Sequence, residues 1–224
     1  MDKLAPILFM HVTKTAGGTL KEMLSRSKLK VRMHYPTEEG FRRDFSYPLE
    51  YDIFYGHFSY GVHEFLGVSP RYMGFVREPI ARVNSHYNHL VKNDHGPVGD
   101  NARKAGDLEN YLYKVRRWEF DNMMCRMYSG VVNTIPFGGV GWGVLEKALE
   151  NIENNFLFVG VQERFNESIV RLEKIINVNL TIPRVNINKG DYSKMRKLER
   201  GSIEDLNYFD KVLYEKMLTA FETV

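Results

Sequence analysis

The chain alternates short apolar runs with longer segments in which apolar residues recur every three to four positions. Apolar runs of about four to eight residues between turn residues are typical of buried strands. The runs predicted as strands are residues 5–9, with Val12 beyond them, 29–33, 52–55, 72–76 and 156–161. Strands that alternate with helices predict an α/β protein with a central parallel sheet flanked by helices.

Amphipathic segments follow most of these strands and are predicted to be helical. They are residues 18–27, 79–92, 108–128 and 142–152, a segment marked by Phe165, Ile169, Leu172 and Ile176, and a last one marked by Leu206, Phe209, Leu213, Met217 and Phe221. Proline, glycine and charged residues predict an irregular surface segment over residues 34–50 and a mobile loop over residues 93–106. The glycine-rich run 138–141 predicts a flexible connection.

Length and charge narrow the classes of protein. The chain has 224 residues, 43% of them hydrophobic, which is enough for one sizeable core and predicts one domain over residues 1–224. The net charge of +3 falls short of the strong basic bias of a nucleic-acid binder, so we expect no nucleic-acid partner. A mildly basic chain does suit a polyanionic cofactor. The histidines show no metal-ligand spacing, which predicts no metal site.

The cysteine count and the start of the chain bear on location. Cys125 is the only cysteine, so an intrachain disulfide is impossible and secretion is not implied. The first residues lack the basic and long apolar stretches of a signal peptide. No apolar run approaches the length of a membrane span. We therefore expect a soluble cytoplasmic protein without a membrane segment, with a trimmed luminal domain as the alternative.

The strongest candidate for chemistry is the turn after the first predicted strand. Residues 11–20 read H-V-T-K-T-A-G-G-T-L and lead into the first predicted helix. Such a turn presents backbone N–H groups and the positive end of the helix dipole to an anion, and glycines let the backbone approach it closely. Lys14 adds a cation, while Thr15 and Thr19 add hydroxyl donors. The pattern predicts a phosphate or sulfate cradle; the alternative is a turn whose glycines serve geometry alone.

Other candidate residues also lie at the ends of predicted strands. His11, His57, Arg77 and Gln162 each follow an apolar run. Ligands of open parallel sheets bind beyond the carboxyl ends of the strands. The four side chains are therefore predicted to converge on one site.

Arg77 begins a second candidate anion site in residues 74–87, which read G-F-V-R-E-P-I-A-R-V-N-S-H-Y. An arginine at a strand end can grip a phosphate with two parallel hydrogen bonds. Ser85 lies about two helical turns further on and faces the same anion only if the strand and the helix fold back on each other. The alternative is an amphipathic helix with ordinary surface charges, and Arg82 either joins the site or pairs with an acid to hold the helix.

These two motifs resemble those of sulfotransferases, enzymes that use 3′-phosphoadenosine 5′-phosphosulfate (PAPS). The order H-x-x-K-T-A-G-G-T resembles their 5′-phosphosulfate loop, and R-E-P-x-x-R-x-x-S-x-Y resembles their 3′-phosphate site. The resemblance implies a P-loop-like three-layer fold. It also implies which residues bind the cofactor: Lys14, Thr15, Ala16, Gly17, Gly18, Thr19 and Leu20 at the 5′ end, and Arg77 and Ser85 at the 3′-phosphate.

A third segment, Y-G-H at residues 55–57, resembles the H-G-H of hexuronic-acid 2-O-sulfotransferases, which supplies their catalytic base. Tyr55 replaces the first histidine of that motif. We predict His57 as the base because imidazole titrates near neutrality and can accept a proton from a hydroxyl. His11 is the second candidate and otherwise orients the loop, and a base assisted by Tyr55 is the third. His86 and His89 lie on a predicted helix and are expected to be packing or surface residues.

Later segments extend the resemblance to about residue 190. Residues 121–130 resemble an N-x-x-x-R-x-x-S-G helix end that is expected to shape the acceptor side, with a core helix around a buried arginine as the alternative. Residues 159–168 resemble a V-G-x-x-E-x-F-x-x-S turn. Residues 186–190 resemble a late N-x-[SN]-K loop, in which Lys189 would bind the cofactor.

The resemblance thus implies a carbohydrate-type sulfotransferase. A sulfuryl group would move from PAPS to a hydroxyl acceptor, expected to be a sugar, by in-line displacement, leaving adenosine 3′,5′-bisphosphate. Lys14 would neutralise charge on the bridging oxygen, and His57 would accept the proton. One alternative is a small-molecule or nucleoside kinase with an atypical phosphate loop. The lysine precedes the glycines here, unlike the G-x-x-x-x-G-K-[ST] order of nucleotide loops, which argues against it. The other is a non-catalytic binder of adenosine bisphosphate.

Overall fold

The computed structural model describes residues 5–34, 50–181 and 197–223, and its centre is a parallel sheet. Five strands form this sheet within the described ranges, in the order β2-β3-β1-β4-β5, and every pairing is parallel. The strands are β1 (Ile7–Met10), β2 (Val31–His34), β3 (Ile53–Gly56), β4 (Tyr72–Val76) and β5 (Phe156–Val161). The predicted α/β class is confirmed, since helices flank the sheet.

The helices follow β1, β3, β4 and β5, and five of the described helices lie between β4 and β5. They are α1 (Gly17–Ser25), α2 (Val62–Leu66), α3 (Pro79–Asn93), α4 (Pro97–Ala105), α5 (Leu108–Val115), α6 (Met123–Ser129), α7 (Trp142–Asn155), α8 (Phe165–Ile176), α9 (Lys197–Leu206) and α10 (Tyr208–Glu222). Short 3₁₀ turns cover Trp118–Phe120 and Gln162–Arg164. The core strands β1, β3 and β4 are buried throughout, which explains their continuous apolar runs.

The predicted mobile loop over residues 93–106 is wrong, because most of this segment is helix α4. Pro97 lies in the first turn, where its missing N–H costs nothing and its fixed φ favours a helix. Gly99 packs against the turn before the helix, and a Cβ there would lie 2.0 Å from the carbonyl oxygen of Asp94. The proline and glycine content of this segment predicted a loop, but both residues serve the start of this helix.

The single helix predicted over residues 108–128 is also wrong, since α5 and α6 are separate helices joined through a 3₁₀ turn. Asn122 precedes α6 in the left-handed region, with φ of 45°. The carboxylate of Asp210, from α10, accepts the N–H groups of Met124 at 3.0 Å and Cys125 at 2.7 Å. A residue far along the chain therefore determines where α6 begins.

Two hydrophobic clusters support the site. The larger one surrounds the sheet, and the smaller one lies among α3, α4, α5 and α9. His86 belongs beside the smaller cluster, where its ring stacks on Phe120 with centroids 4.8 Å apart and planes 10° from parallel. Burial, and then the charges of Arg82 and Lys14, lower the pKa of His86 to about 3. His86 thus stays neutral in the folded protein.

This histidine makes stability depend on pH. The unfolded chain binds a proton near the ordinary value of 6.5, but folded His86 does not until about pH 3, so the free energy of unfolding falls as pH decreases through that window. The loss is about 1.4 kcal/mol per pH unit for one proton. His86→Phe, which keeps the stacked ring, should reduce the slope of unfolding free energy against pH by about that amount between about pH 5.5 and 4.5. Urea unfolding at several pH values measures the slope, and an unchanged slope would contradict the assignment.

Candidate functional site

The carboxyl ends of the strands surround a cavity of about 320 Å³. The structure brings together in its lining most of the residues that the sequence proposed: His11, Lys14, Ala16, Gly17, Gly18, Thr19, His57, Arg77, Ser85 and the strand-end residue Gln162. The β1–α1 loop supplies the floor, and the ends of β3, β4 and β5 supply the walls. This position is the one expected for a ligand site in a parallel sheet.

The β1–α1 loop ends in a helix start that no side chain caps within the described residues. Leu20 makes the first intrahelical bond, from its N–H to the carbonyl of Ala16 at 3.1 Å. The N–H groups of Gly17, Gly18 and Thr19 precede that bond, so they have no place in the helical ladder. All three residues line the cavity. The helix dipole and these donors make this end of the cavity suited to an anion.

Two residues of the predicted loop have other tasks. The backbone N–H of Leu20 is used in the helix and its side chain is buried, so it offers the predicted cradle no donor. The hydroxyl of Thr15 donates to the carbonyl of Val12 at 2.7 Å and is buried as well. Thr15 therefore closes the turn rather than facing the cavity. The N–H of Thr19 precedes the helical hydrogen bonds, whereas that of Leu20 makes the first of them. The motif alone does not reveal where these bonds begin.

The two adjacent glycines, Gly17 and Gly18, differ in what surrounds the place of a side chain. A Cβ on Gly17 would lie 1.7 Å from Nε2 of His11, so the packing of that ring requires glycine. The hydroxyl of Tyr55 donates to the Gly17 carbonyl at 2.7 Å and holds the loop in place. A Cβ on Gly18 would meet no atom of the described chain within 4 Å. The space over Gly18 is open to a ligand.

His57 is held in one tautomer by the main chain. Its Nδ1 lies 2.8 Å from the carbonyl oxygen of His11, which can only accept a hydrogen bond. Nδ1 therefore carries the proton in the neutral ring, and Nε2 keeps a lone pair. The residue is exposed and lines the cavity, where an acceptor hydroxyl would bind. This arrangement is what a general base needs.

The two other candidates for the base are less suited to it. The His11 ring lies 4.3 Å from that of His57 between centroids, and its Nε2 is buried with no hydrogen-bond partner in the described part of the chain. Burial, followed by the charges of His57 and Lys14, lowers the pKa of His11 to about 3, which makes it a weak base. Burial raises the pKa of Tyr55 far above its usual range, and its hydroxyl is committed to Gly17.

Two cations face the same cavity. Arg77 is almost fully buried and donates from Nη1 to the carbonyl of Lys14 at 2.9 Å, which ties the end of β4 to the loop. Lys14 has positive φ, 69°, which the loop imposes. Burial and the charge of Arg77 lower the pKa of Lys14, so each cation destabilises the other. An anion in the cavity would relieve that repulsion.

Helix α3 also lines the cavity. The Glu78 carboxylate caps its start, accepting from the N–H groups of Ile80 at 3.1 Å and Ala81 at 2.7 Å. Ser85 faces the cavity together with His89, an exposed residue that the sequence interpretation expected to be a packing or surface residue. Their spacing of four residues, one helical turn, was the signal that places both on one face.

Arg82 points away from the cavity and is fully buried. It donates to the carbonyl of Glu119 at 3.0 Å and to Oδ1 of Asn207 at 3.3 Å, and Asp210 lies close enough to favour its charge. Of the two roles that the sequence left open, the structure places Arg82 in the structural one. It holds α3 against the helices at the end of the chain.

The later motifs support the fold around the site. Arg126 is fully buried and pairs with Asp121. It also donates to the carbonyls of Ile135 at 2.7 Å and Pro136 at 2.8 Å. These contacts match the alternative that the sequence left open, a core helix around a buried arginine. The Ser168 hydroxyl lies 3.0 Å from both the N–H and the carbonyl of Val161 and so fixes the end of β5. The loop at 186–190, including the predicted cofactor residue Lys189, lies outside the described residues.

The described residues show neither a metal-ligand cluster nor a helix that could span a membrane. In residues 5–34, 50–181 and 197–223, no three His, Cys, Asp or Glu side chains are grouped to hold a metal ion. Over the same ranges, the helices are too short or too polar to span a membrane. Location in the cell and the extent of a single domain stay predictions.

Comparisons with known proteins support the predicted resemblance. No family model matches the chain. Heparan sulfate 2-O-sulfotransferase 1 of Gallus gallus is 29% identical over 128 residues, which cover 54% of this chain and 36% of that protein. The Mus musculus protein of the same name is 28% identical with the same coverage. The chain therefore spans about a third of the length of the curated relatives it matches.

A solved structure extends the similarity to the whole fold. The crystal structure of mouse sulfotransferase SULT7A1 complexed with PAP matches with a TM-score of 0.55 at 12% identity, over 98% of this chain and 88% of that one. At this identity the likeness concerns the fold. Together with the curated relatives, it confirms the resemblance to sulfotransferases that the motifs predicted.

Proposed function

We propose that this protein is a sulfotransferase that moves a sulfuryl group from PAPS to a hydroxyl acceptor, with a carbohydrate as the acceptor. The observation that carries the proposal is the uncapped start of α1, which shares one cavity with Lys14 and Arg77. These features supply two anion-binding positions, one at the loop and one at the end of β4. A nucleotide with phosphates at both its 5′ and 3′ positions requires two such positions.

The residues present fit this cofactor. The N–H groups of Gly17, Gly18 and Thr19 would hold the 5′-phosphate, with the open space over Gly18 leaving room for it. Arg77 and Ser85 would hold the 3′-phosphate, since both line the same cavity from β4 and α3. PAPS supplies the activated sulfuryl group when bound. Lys14, next to the helix start, would stabilise the charge that develops on the bridging oxygen.

His57 would take the proton from the acceptor. The residue lines the cavity, and the bond from Nδ1 to the His11 carbonyl orients the ring and leaves its proton-accepting nitrogen as Nε2. Sulfuryl transfer resembles phosphoryl transfer, in which positioning and charge stabilisation dominate catalysis. The neutral ring of His11 packs beside His57 and adds no competing charge at neutral pH.

The acceptor class is proposed from the named activity of the curated relatives, heparan sulfate 2-O-sulfotransferases. A sugar hydroxyl in a uronate-containing polysaccharide is the acceptor we propose. Incubation with radiolabelled PAPS and desulfated heparan sulfate should give labelled polysaccharide. Labelling of a phenol together with the absence of labelled polysaccharide would contradict a carbohydrate acceptor and would leave the cofactor proposal intact.

Arg77→Ala tests the 3′-phosphate position. It should weaken binding of adenosine 3′,5′-bisphosphate by about tenfold to a hundredfold, because a charge-assisted contact is lost. Binding of 5′-AMP, which lacks the 3′-phosphate, should change much less. Calorimetric titration of the variant with both nucleotides measures the two affinities.

Ser85→Ala is the matched variant, since it leaves the bond between Arg77 and the Lys14 carbonyl in place. We expect it to weaken the binding of adenosine 3′,5′-bisphosphate by about threefold to tenfold and to leave the affinity for 5′-AMP unchanged. Equal losses for both nucleotides in both variants would mean that the loop had been disturbed and that the 3′-phosphate lies elsewhere.

A further inference from the structure

Gln162 is a cavity residue to which neither the motifs nor the mechanism gives a task. It follows β5 directly, as Arg77 follows β4, and the preceding residues Val161 and Val76 are register partners. The Gln162 and Arg77 side chains therefore start from adjacent positions at the edge of the sheet, and both line the cavity. The bond between Ser168 and Val161 fixes the backbone from which Gln162 projects.

The amide oxygen of Gln162 is the feature that needs an explanation. The residue is 9% exposed, and Oε1 is buried with no hydrogen-bond partner among the described residues. Glutamine is mostly exposed in proteins, and buried amide oxygens are nearly always hydrogen-bonded. An amide oxygen only accepts hydrogen bonds. Because Oε1 has almost no accessible surface, the amide group must turn before a ligand donor in the cavity can reach this acceptor and satisfy it.

The position of Oε1 determines which group of a ligand could donate a hydrogen bond to it. On the proposed function, on which this inference rests, the 3′-phosphate is bound by Arg77 and Ser85, next to Gln162. Phosphate oxygens are acceptors and would be repelled by Oε1. In a nucleoside 3′-phosphate, the neighbouring carbon carries the 2′-hydroxyl, which is a donor. We infer that Oε1 of Gln162 accepts a hydrogen bond from the ribose 2′-hydroxyl and selects a ribonucleotide cofactor.

This inference separates two nucleotides that differ by one oxygen. A site built to bond a hydroxyl rejects an analogue that lacks it, because the buried protein group is then left unpaired. The test is calorimetric titration with adenosine 3′,5′-bisphosphate and with 2′-deoxyadenosine 3′,5′-bisphosphate. The wild-type protein should bind the ribonucleotide about tenfold more tightly.

Gln162→Leu, of similar size but without the acceptor, should bring the ratio of the two affinities close to one. Its affinity for the deoxynucleotide should stay near that of the wild type, which also shows that the cavity is intact. Gln162→Asn should lose the preference too, because the shorter side chain withdraws the oxygen. His89→Ala removes another side chain of the cavity lining and shows whether α3 contributes to the preference. Lys147→Ala, at an exposed position on α7, is the control and should keep the wild-type ratio.

The outcomes distinguish this inference from the function on which it rests. Tight binding of both nucleotides without preference in the wild type, or a preference that survives in Gln162→Leu, would overturn the role of Gln162 alone. Binding of neither nucleotide to the wild type would overturn the proposed function and this inference with it. A preference lost in His89→Ala as strongly as in Gln162→Leu would assign the 2′-hydroxyl to α3 instead.

Discussion

His57→Ala should lower the turnover number by about a hundredfold to ten-thousandfold, the usual contribution of a general base. The expectation rests on the bond from Nδ1 to the His11 carbonyl, which leaves Nε2 as the proton acceptor at the cavity. Affinity for adenosine 3′,5′-bisphosphate should change little, since no anion contact is assigned to His57. Steady-state transfer from PAPS, measured beside calorimetric binding of the product, separates the two effects.

A matched control is His63→Ala, because His63 lies on α2 and its Nδ1 bonds to the hydroxyl of Tyr72 at 2.9 Å, away from the cavity lining. That variant should turn over at close to the normal rate. Near-normal turnover in His57→Ala would refute the assignment. So would a severe loss confined to His11→Ala or to Tyr55→Phe, since either result would give the proton to another group.

Lys14→Ala is expected to lower turnover by about a hundredfold or more, the cost of removing one preorganised charge from the transition state. The structural contribution of Lys14 comes from its carbonyl, which accepts from Arg77 at 2.9 Å and is kept in the variant. The loop should therefore retain its shape while the ammonium is lost. The ratio of turnover numbers at saturating PAPS measures the effect.

Lys147→Ala provides the control for this variant. Lys147 is an exposed lysine on α7 that pairs with Glu150 at 3.0 Å, and its loss should leave turnover within about twofold of normal. Adenosine 3′,5′-bisphosphate should bind Lys14→Ala more weakly, but by less than turnover falls, if Lys14 acts mainly in the transition state. Near-normal turnover in Lys14→Ala would remove it from the catalytic machinery.

Those elements that depend on local pattern were predictable from the sequence. Strands β4 and β5 have the predicted bounds of 72–76 and 156–161, because each is a continuous apolar run that ends at a polar or charged residue. Helix α4 was missed because proline and glycine normally interrupt helices, whereas here Pro97 lies in the first turn of the helix and Gly99 packs against the turn that precedes it. The break before α6 depends on Asp210, which no local pattern could reveal.

The candidate site was likewise predictable where it depends on backbone topology and unpredictable where it depends on distant hydrogen-bond partners. Strand ends and glycine spacing placed Lys14, His57 and Arg77 in one cavity, since backbone topology decides that much. The tasks of single groups depend on hydrogen-bond partners instead. The turn bond of Thr15 and the buried, unpartnered oxygen of Gln162 become visible only when the partners are known.

The central claim is that the cavity binds a nucleotide with phosphates at both ends of its ribose. Calorimetric titration of the wild-type protein with adenosine 3′,5′-bisphosphate, beside 5′-AMP and ATP with magnesium, tests it most directly. We predict tight binding of adenosine 3′,5′-bisphosphate, weaker binding of 5′-AMP and no preference for ATP. Absence of binding, or a preference for ATP with magnesium, would contradict the claim, and the second result would favour a kinase.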